Sequence, residues 1–256
     1  MPRANRYYAP GCVWHITHRC HDRAFLLKFG RDRSQWVHWL GVARKRYGLA
    51  IMDYSVTSNH VHLLVRDRGE IAQGMQLVQS RVAHEYNWRR KRDGAFWQDR
   101  DHATAVDSGV HALRCSTYIA MNMVRAGVVR HPSEWRWCGC REIVEGRQRY
   151  RLIDRHALAE ALGVEGTELA NIYRDRITYL LGQRDSIREP EWTESVAVGG
   201  EPFVESIKQE LRDVRATWQV MADGHAGGQV CLKEAAPPYN TVLGGKNAPL
   251  AEVYKL

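Results

Sequence analysis

The chain has 256 residues, a formal net charge of +8, a pI near 9.3, 44% hydrophobic and 26% charged residues, a balance that suits a soluble globular protein with one sizeable core and room for a second unit. Its apolar runs are too short to cross a bilayer, and Met1-Pro2-Arg3-Ala4-Asn5-Arg6-Tyr7 lacks a secretory apolar stretch, so a cytoplasmic protein with no membrane partner is expected. The basic excess favours a polyanionic partner, with nucleic acid as the first candidate. In chain order, Arg3, Arg6, Tyr7 and Tyr8 make a basic, aromatic arm. Residues 12–19 alternate as a strand, with Val13, His15 and Thr17 on one face and Trp14, Ile16 and His18 on the other. His15, His18 and His21 share neither a strand face nor a helix face, which favours structural or nucleic-acid-contact roles over a second metal site. Residues 32–47 read as a helix with Trp36, Trp39, Leu40 and Ala43 on one face, Arg44, Lys45 and Arg46 in its last turn and Gly48 as its stop.

Residues 49–56 and 60–65 read as two strands joined by Thr57-Ser58-Asn59. His60 and His62 therefore point to one face, where two imidazoles can hold a divalent metal if a third ligand arrives from elsewhere. Taken alone, the pair reads first as two structural histidines on a half-buried face, and an isolated His-x-His is weak evidence for a metal site. Residues 71–90 form a second long helix with Met75, Leu77, Val78, Val82 and Ala83 along its apolar side. Its end and the following loop gather Arg81, Tyr86, Trp88, Arg89, Arg90, Lys91, Arg92, Trp97 and Arg100, cations that neutralise phosphates beside rings that stack on unpaired bases. The competing reading is a solvated helix end with its aromatics in the core. Residues 103–106 read as a short strand, with Asp107-Ser108 as the cap of a helix over 109–125. On that helix Tyr118 and Asn122 lie one turn apart, and Arg125 shares their stripe.

The order strand, helix, two strands, helix, strand implies an α+β fold, a ferredoxin-like antiparallel sheet with packed helices and, further on, a C-terminal helical extension. Residues 1–140 form the main domain. Residues 141–151 read as a linker and 153–162, 167–181 and 205–214 as helices, so 141–220 is a helical accessory extension that could help hold DNA; 221–256 is expected to be a flexible tail. Cys12, Cys20, Cys115, Cys138, Cys140 and Cys231 include no Cys-x-x-Cys pair, so neither zinc nor a disulfide framework is indicated.

Four motifs in order resemble one family: Trp14-His15-Ile16-Thr17-His18-Arg19, Asn59-His60-Val61-His62-Leu63-Leu64-Val65, Gly94-Ala95-Phe96-Trp97-Gln98-Asp99-Arg100, and Tyr118 through Val129, followed by Trp135-Arg136-Trp137. The family is the single-tyrosine HUH transposases, of the REP-associated (IS200-like) type, and the resemblance covers about residues 6–140. It implies His60, His62 and Asn122 as ligands of Mg2+ or Mn2+ and Tyr118 as the nucleophile. It further implies cleavage and rejoining of single-stranded or REP-like hairpin DNA through a 5′-phosphotyrosine, by a monomer or homodimer. Arg81, Arg89, Arg90, Lys91, Arg92, Trp97, Arg100 and Arg125 are the expected DNA contacts. Ser58 stands where relatives often have Pro. Met123 stands where they have Pro after the Asn, which predicts that the helix runs on past Asn122. Tyr86 is the alternative nucleophile. The alternative functions are a non-cleaving hairpin-DNA-binding regulator and a metal-dependent nuclease that uses water.

Overall fold

Alternating side chains make β1 (Val13–Arg19) a strand with two usable faces, and helices cover both, so most of the strand is buried. The computed structural model describes residues 8–146, 151–183, 189–211, 218–222 and 229–234; Arg3, Arg6 and Tyr7 of the expected arm, and the chain beyond 234, lie outside the described residues. After β1 come α1 (Gly30–Tyr47), β2 (Ala50–Val56), β3 (His60–Arg66), α2 (Ile71–Arg90) and β4 (His102–Val106). Gly48 closes α1 at φ +76°, donating its N–H to the Arg44 carbonyl, a left-handed stop that glycine adopts without a Cβ clash. The strands order as β2-β3-β1-β4 with every neighbour antiparallel, the expected ferredoxin-like arrangement.

Register sorts the two faces. Thr17 pairs with His62, His15 with Leu64 and Asp53 with Leu64, so His15, His62 and Asp53 share a face. The β2 register shifts between Ile51 and Asp53, a bulge that sets Asp53 on it. The opposite face carries Tyr54, against which Trp36 of α1 packs at 6.5 Å between ring centroids, and α2 lies alongside α1. On the histidine face lies α3 (Val110–Ala120), whose Ser116 donates to Asp53.

After α3 the described elements are α4 (Asn122–Arg125), α5 (Cys140–Glu145), α6 (Arg155–Leu162), α7 (Leu169–Gly182), α8 (Glu191–Glu194), β5 (Ala197–Gly199), α9 (Glu201–Glu210), β6 (Trp218–Ala222) and β7 (Val230–Glu234). The structure departs from the sequence expectations in this part of the chain. The helix over 109–125 breaks at Met121 (φ −72°, ψ −3°), even though Met123 removes no hydrogen bond. Asp107 does not cap α3; its carboxylate accepts the Ser108 N–H at 2.7 Å and the Gly200 N–H at 3.0 Å, and the cap position falls on Gly109. The expected linker begins with α5, because Cys140 and Ile143 bury their side chains and Glu142 accepts the N–H groups of Leu152 and Ile153 at 2.7 and 3.0 Å. Nor is the part after 140 purely helical. Strand β5 pairs in parallel with β4, β7 lies antiparallel to β5, and β6 flanks β7. The described sheet thus has seven strands in the order β2-β3-β1-β4-β5-β7-β6, and β7 falls inside the expected flexible tail.

Candidate active site

Strands β1 and β3 place His15 and His62 in adjacent rows of one face, and the α3–α4 junction lies over them. His62 Nδ1 is 3.0 Å from His15 Nε2, and the two rings stack at 12° with centroids 5.2 Å apart. His15 Nδ1 donates to the backbone carbonyl of Trp192, in α8, at 2.8 Å. On the other side of His62, Nε2 lies 2.8 Å from the side-chain amide nitrogen of Asn122. The ring of Tyr118 stands edge-on to both imidazoles, 6.0 Å from His62 and 6.2 Å from His15, and 6.4 Å from the Trp192 ring. His60, at the start of β3, meets His62 at 4.9 Å between centroids. Its Nδ1 lies 2.7 Å from Asn59 Oδ1 and 2.9 Å from Thr57 Oγ1.

The break at Met121 has a local consequence for this arrangement. Arg125 Nη2 donates to the Tyr118 carbonyl at 2.9 Å, and its guanidinium lies 4.1 Å over the Tyr118 ring. One cation thus supports the helix end and faces the π cloud of the phenol.

Burial sets the charges. His15 is pushed down to about 3, first by desolvation, against the opposing Trp192 carbonyl. His62 is held well below the ordinary histidine value by desolvation, then by His60, His15, Arg125 and Arg19. Both rings are therefore neutral near pH 7, the form that ligates metals. Burial also lowers Arg125, while Tyr118 raises it.

Among the described residues no group of three or more His, Cys, Asp and Glu is placed to hold a metal ion. The available donor set is of another kind: two imidazoles and an amide. At His60, Asn59 Oδ1 can only accept, so Nδ1 carries the hydrogen and Nε2 the lone pair. At His62, Nε2 accepts from the Asn122 amide. The two Nε2 atoms suit a divalent cation whose remaining ligands are phosphate and water, and the Asn122 side-chain oxygen joins them once its amide, whose nitrogen here faces His62, turns over.

His60, His62, Tyr118, Asn122 and Arg125 are thus brought together. The other expected DNA contacts are not in this cluster. They lie at the end of α2 and in the loop after it, on the side of the sheet that carries α1. Arg89 is paired with the buried Asp32. Arg92 donates to Asn87 Oδ1 at 3.1 Å and to the Ala95 carbonyl at 3.0 Å. Trp97 donates to the Gln79 carbonyl at 3.1 Å and stacks on His18 at 4.2 Å. These three side chains hold the fold locally. Arg81, Arg90, Lys91 and Arg100 are exposed, and Trp88 beside them is 79% exposed. The alternative nucleophile Tyr86 packs edge-on against Phe96 at 4.9 Å, away from the histidines.

Arg19 and Trp192 are not among the candidates that the sequence suggests, and His15, for which the sequence favours a structural or nucleic-acid-contact role, lies against His62. Arg19 pairs in register with His60, so it stands at the rim of the site. Its signal is the alternation that puts Val13, His15 and Thr17 on one face, continued by one more pair of residues.

Residues 9–122 match the family described as Transposase IS200 like. No curated protein matches the chain. Ten chains of solved structures match it. One is titled "Structure of the REP associates tyrosine transposase bound to a REP hairpin"; it is 20% identical, the match covers 59% of this chain and 90% of that one, and the TM-score is 0.49. No helix among the described residues is long and apolar enough to cross a membrane.

Proposed function

We propose, from the match of residues 9–122 to the family described as Transposase IS200 like, that the protein cleaves and rejoins single-stranded or hairpin DNA with Tyr118 as its nucleophile. The observation that carries this reading is the convergence of Tyr118, Asn122 and His62 from α3, α4 and β3, at 2.8 Å between His62 and Asn122 and 6.0 Å between the His62 and Tyr118 rings. The phenol of Tyr118 attacks the scissile phosphorus. A phosphotyrosine bond forms, the bond to the 3′ oxygen breaks, and the proton lost by the phenol is balanced by the one the 3′ oxygen takes up. Rejoining is the reverse attack by the 3′-hydroxyl, and the ester retained on Tyr118 makes a nucleotide cofactor unnecessary.

His60 Nε2, His62 Nε2 and the Asn122 side-chain oxygen would hold Mg2+ or Mn2+, which when bound polarises the scissile phosphate. Arg125 supplies a cation at the phenol ring, where it stabilises the phenolate and can pass to the arriving phosphate. Tyr118 is 5% exposed, so DNA enters past the half-buried His60 and displaces Arg125 from the ring. Arg81, Arg90, Lys91 and Arg100, with Trp88 as a stacking platform, form a separate surface for flanking DNA.

The test is a covalent adduct. A single-stranded or hairpin substrate labelled 3′ of the scissile bond should become attached to the protein, survive denaturation and map to Tyr118 by mass spectrometry. Tyr118→Phe should bind the same DNA and form no adduct. An adduct on Tyr86 overturns the assignment, cleavage with no adduct selects the water-using nuclease, and full activity in EDTA removes the metal.

A further inference from the structure

We infer that His15 is a positioning residue for the metal site, and that the backbone carbonyl of Trp192 fixes it, so that the segment around α8 completes the site from outside the family-matched residues. The inference rests on the metal reading above and on three consecutive hydrogen bonds. A carbonyl oxygen only accepts, so the 2.8 Å contact with Trp192 puts a hydrogen on His15 Nδ1. A neutral His15 then has its lone pair on Nε2. That atom faces His62 Nδ1 at 3.0 Å, which must therefore carry the hydrogen. His62 is left with its lone pair on Nε2, the nitrogen nearest Asn122. The far end agrees independently: the Asn122 amide nitrogen, 2.8 Å from His62 Nε2, has only hydrogens to offer.

The row is protected from water, with His15 0% and His62 2% exposed. Its anchor is also fixed. The Trp192 carbonyl accepts from Thr104 Oγ1 of β4 at 3.3 Å. The Trp192 indole donates to Glu189 at 2.9 Å, and Glu189 receives Arg114 of α3 at 2.9 Å. A partner on the second ring nitrogen sets a ligand histidine's tautomer and orientation. Here that partner is a second imidazole in place of a carboxylate, and its own tautomer is set by a main-chain atom 177 residues away. Side-chain variation at residue 192 therefore leaves the anchor in place, whereas deleting the segment removes it.

The experiment reads imidazole nitrogens directly. In the full chain, labelled with 15N-histidine and free of metal, His15 and His62 should both be protonated at Nδ1. Manganese alone is then titrated. His15→Phe keeps the ring volume and removes both nitrogens; its manganese dissociation constant should rise 10- to 100-fold, and His62 should lose its single tautomer. His15→Gln offers His62 an oxygen acceptor and should recover most of the affinity. Trp192→Phe keeps the carbonyl and should leave the tautomers unchanged. His62 protonated at Nε2 in the unmodified chain, or a His15→Phe affinity within about twofold of the unmodified protein, overturns the inference. If His15→Phe does not fold, the tautomers of the unmodified chain decide alone. An unmodified chain with Nδ1-protonated His62 that binds no manganese removes the metal reading instead, which separates the two failures.

Discussion

Two buried polar nodes lie on the same face of the sheet; one joins it to α4 and the other to α3, and both reach the chain beyond residue 150. One is the row of His15, His62 and Asn122. The other is Asp53, whose Oδ2 accepts from Ser116 at 2.7 Å and Tyr173 at 3.0 Å and whose Oδ1 accepts the Tyr54 N–H at 2.7 Å. Every contact at Asp53 is a donor turned inward on a carboxyl with 0% exposure, so the node is closed. The histidine row starts at a main-chain carbonyl and ends at the Asn122 amide, one turn from Tyr118. A closed node fixes architecture; the row ends on a neutral amide that can turn away, and the proposed chemistry is placed there. Burial dominates both, but in opposite senses: it pushes Asp53 up to about 7 and His15 down to about 3.

That contrast breaks most sharply at Tyr118. Tyr118→Phe should lower cleavage by about 10⁴-fold or more while retaining DNA binding, measured by adduct formation beside a binding titration. His62→Ala should come next, abolishing cleavage while retaining DNA binding, and it should cost more stability than His60→Ala because it strands both His15 and Asn122. Asp53→Ala should do the reverse. It should lower unfolding free energy by about 3 kcal/mol through the orphaned Ser116, Tyr173 and Tyr54 donors, and the molecules that remain folded should still cleave.

Acidity sharpens the same comparison. Asp53 is raised, so its contribution is fully present below the ordinary carboxylate value and is lost as pH rises through about 7. His15 and His62 are lowered, so theirs is present above the ordinary histidine value of 6.5 and is lost as pH falls. Between about pH 5 and 6 the two nodes pull in opposite directions. Asp53→Asn should remove one of them and steepen the acid-side loss of stability by about 1.4 kcal/mol per pH unit, read from denaturant unfolding across that range. A slope unchanged by the substitution would show that Asp53 does not titrate there.

The smallest effects are expected at the surface. Arg90→Glu with Lys91→Glu should weaken DNA binding and reduce the slope of log affinity against log salt by about 2. Arg89→Glu should act mainly on stability, because its partner Asp32 is buried. Equal salt slopes for the two variants would place Arg89 on the DNA surface after all.

Much of this was legible in the chain, for reasons of spacing. Periods of two and of three to four residues separated the strands from the helices of the first 106 residues, and their order gave the sheet. Residues two apart on β3 and one turn apart near the end of α3 put His60 with His62, and Tyr118 with Asn122, before any packing was known. His15 is harder to read, because its partner His62 lies 47 residues away and the local spacing of His15, His18 and His21 carries no sign of a cross-strand row. The Trp192 contribution was out of reach, since a main-chain carbonyl has no side-chain signature. Arg89 and Arg92 show the limit of charge counting: their charge was plain, but their commitments to Asp32 and to the Ala95 carbonyl depend on tertiary packing. Strand β5 has only three residues, too few for alternation to stand out.

The parallel seam between β4 and β5 bears on any attempt to trim the protein. The N–H groups of Ala105 and Asp107 donate to the carbonyls of Val196 and Val198 at 2.8 and 3.0 Å. A fragment cut to the family-matched residues would uncover that row and leave β4 as a raw border on which a second copy could add its own strand. Such a fragment should associate edge to edge or precipitate on expression. A β4 carrying an inward-pointing lysine or a proline at the exposed N–H should stay soluble, because the template for strand addition would be gone.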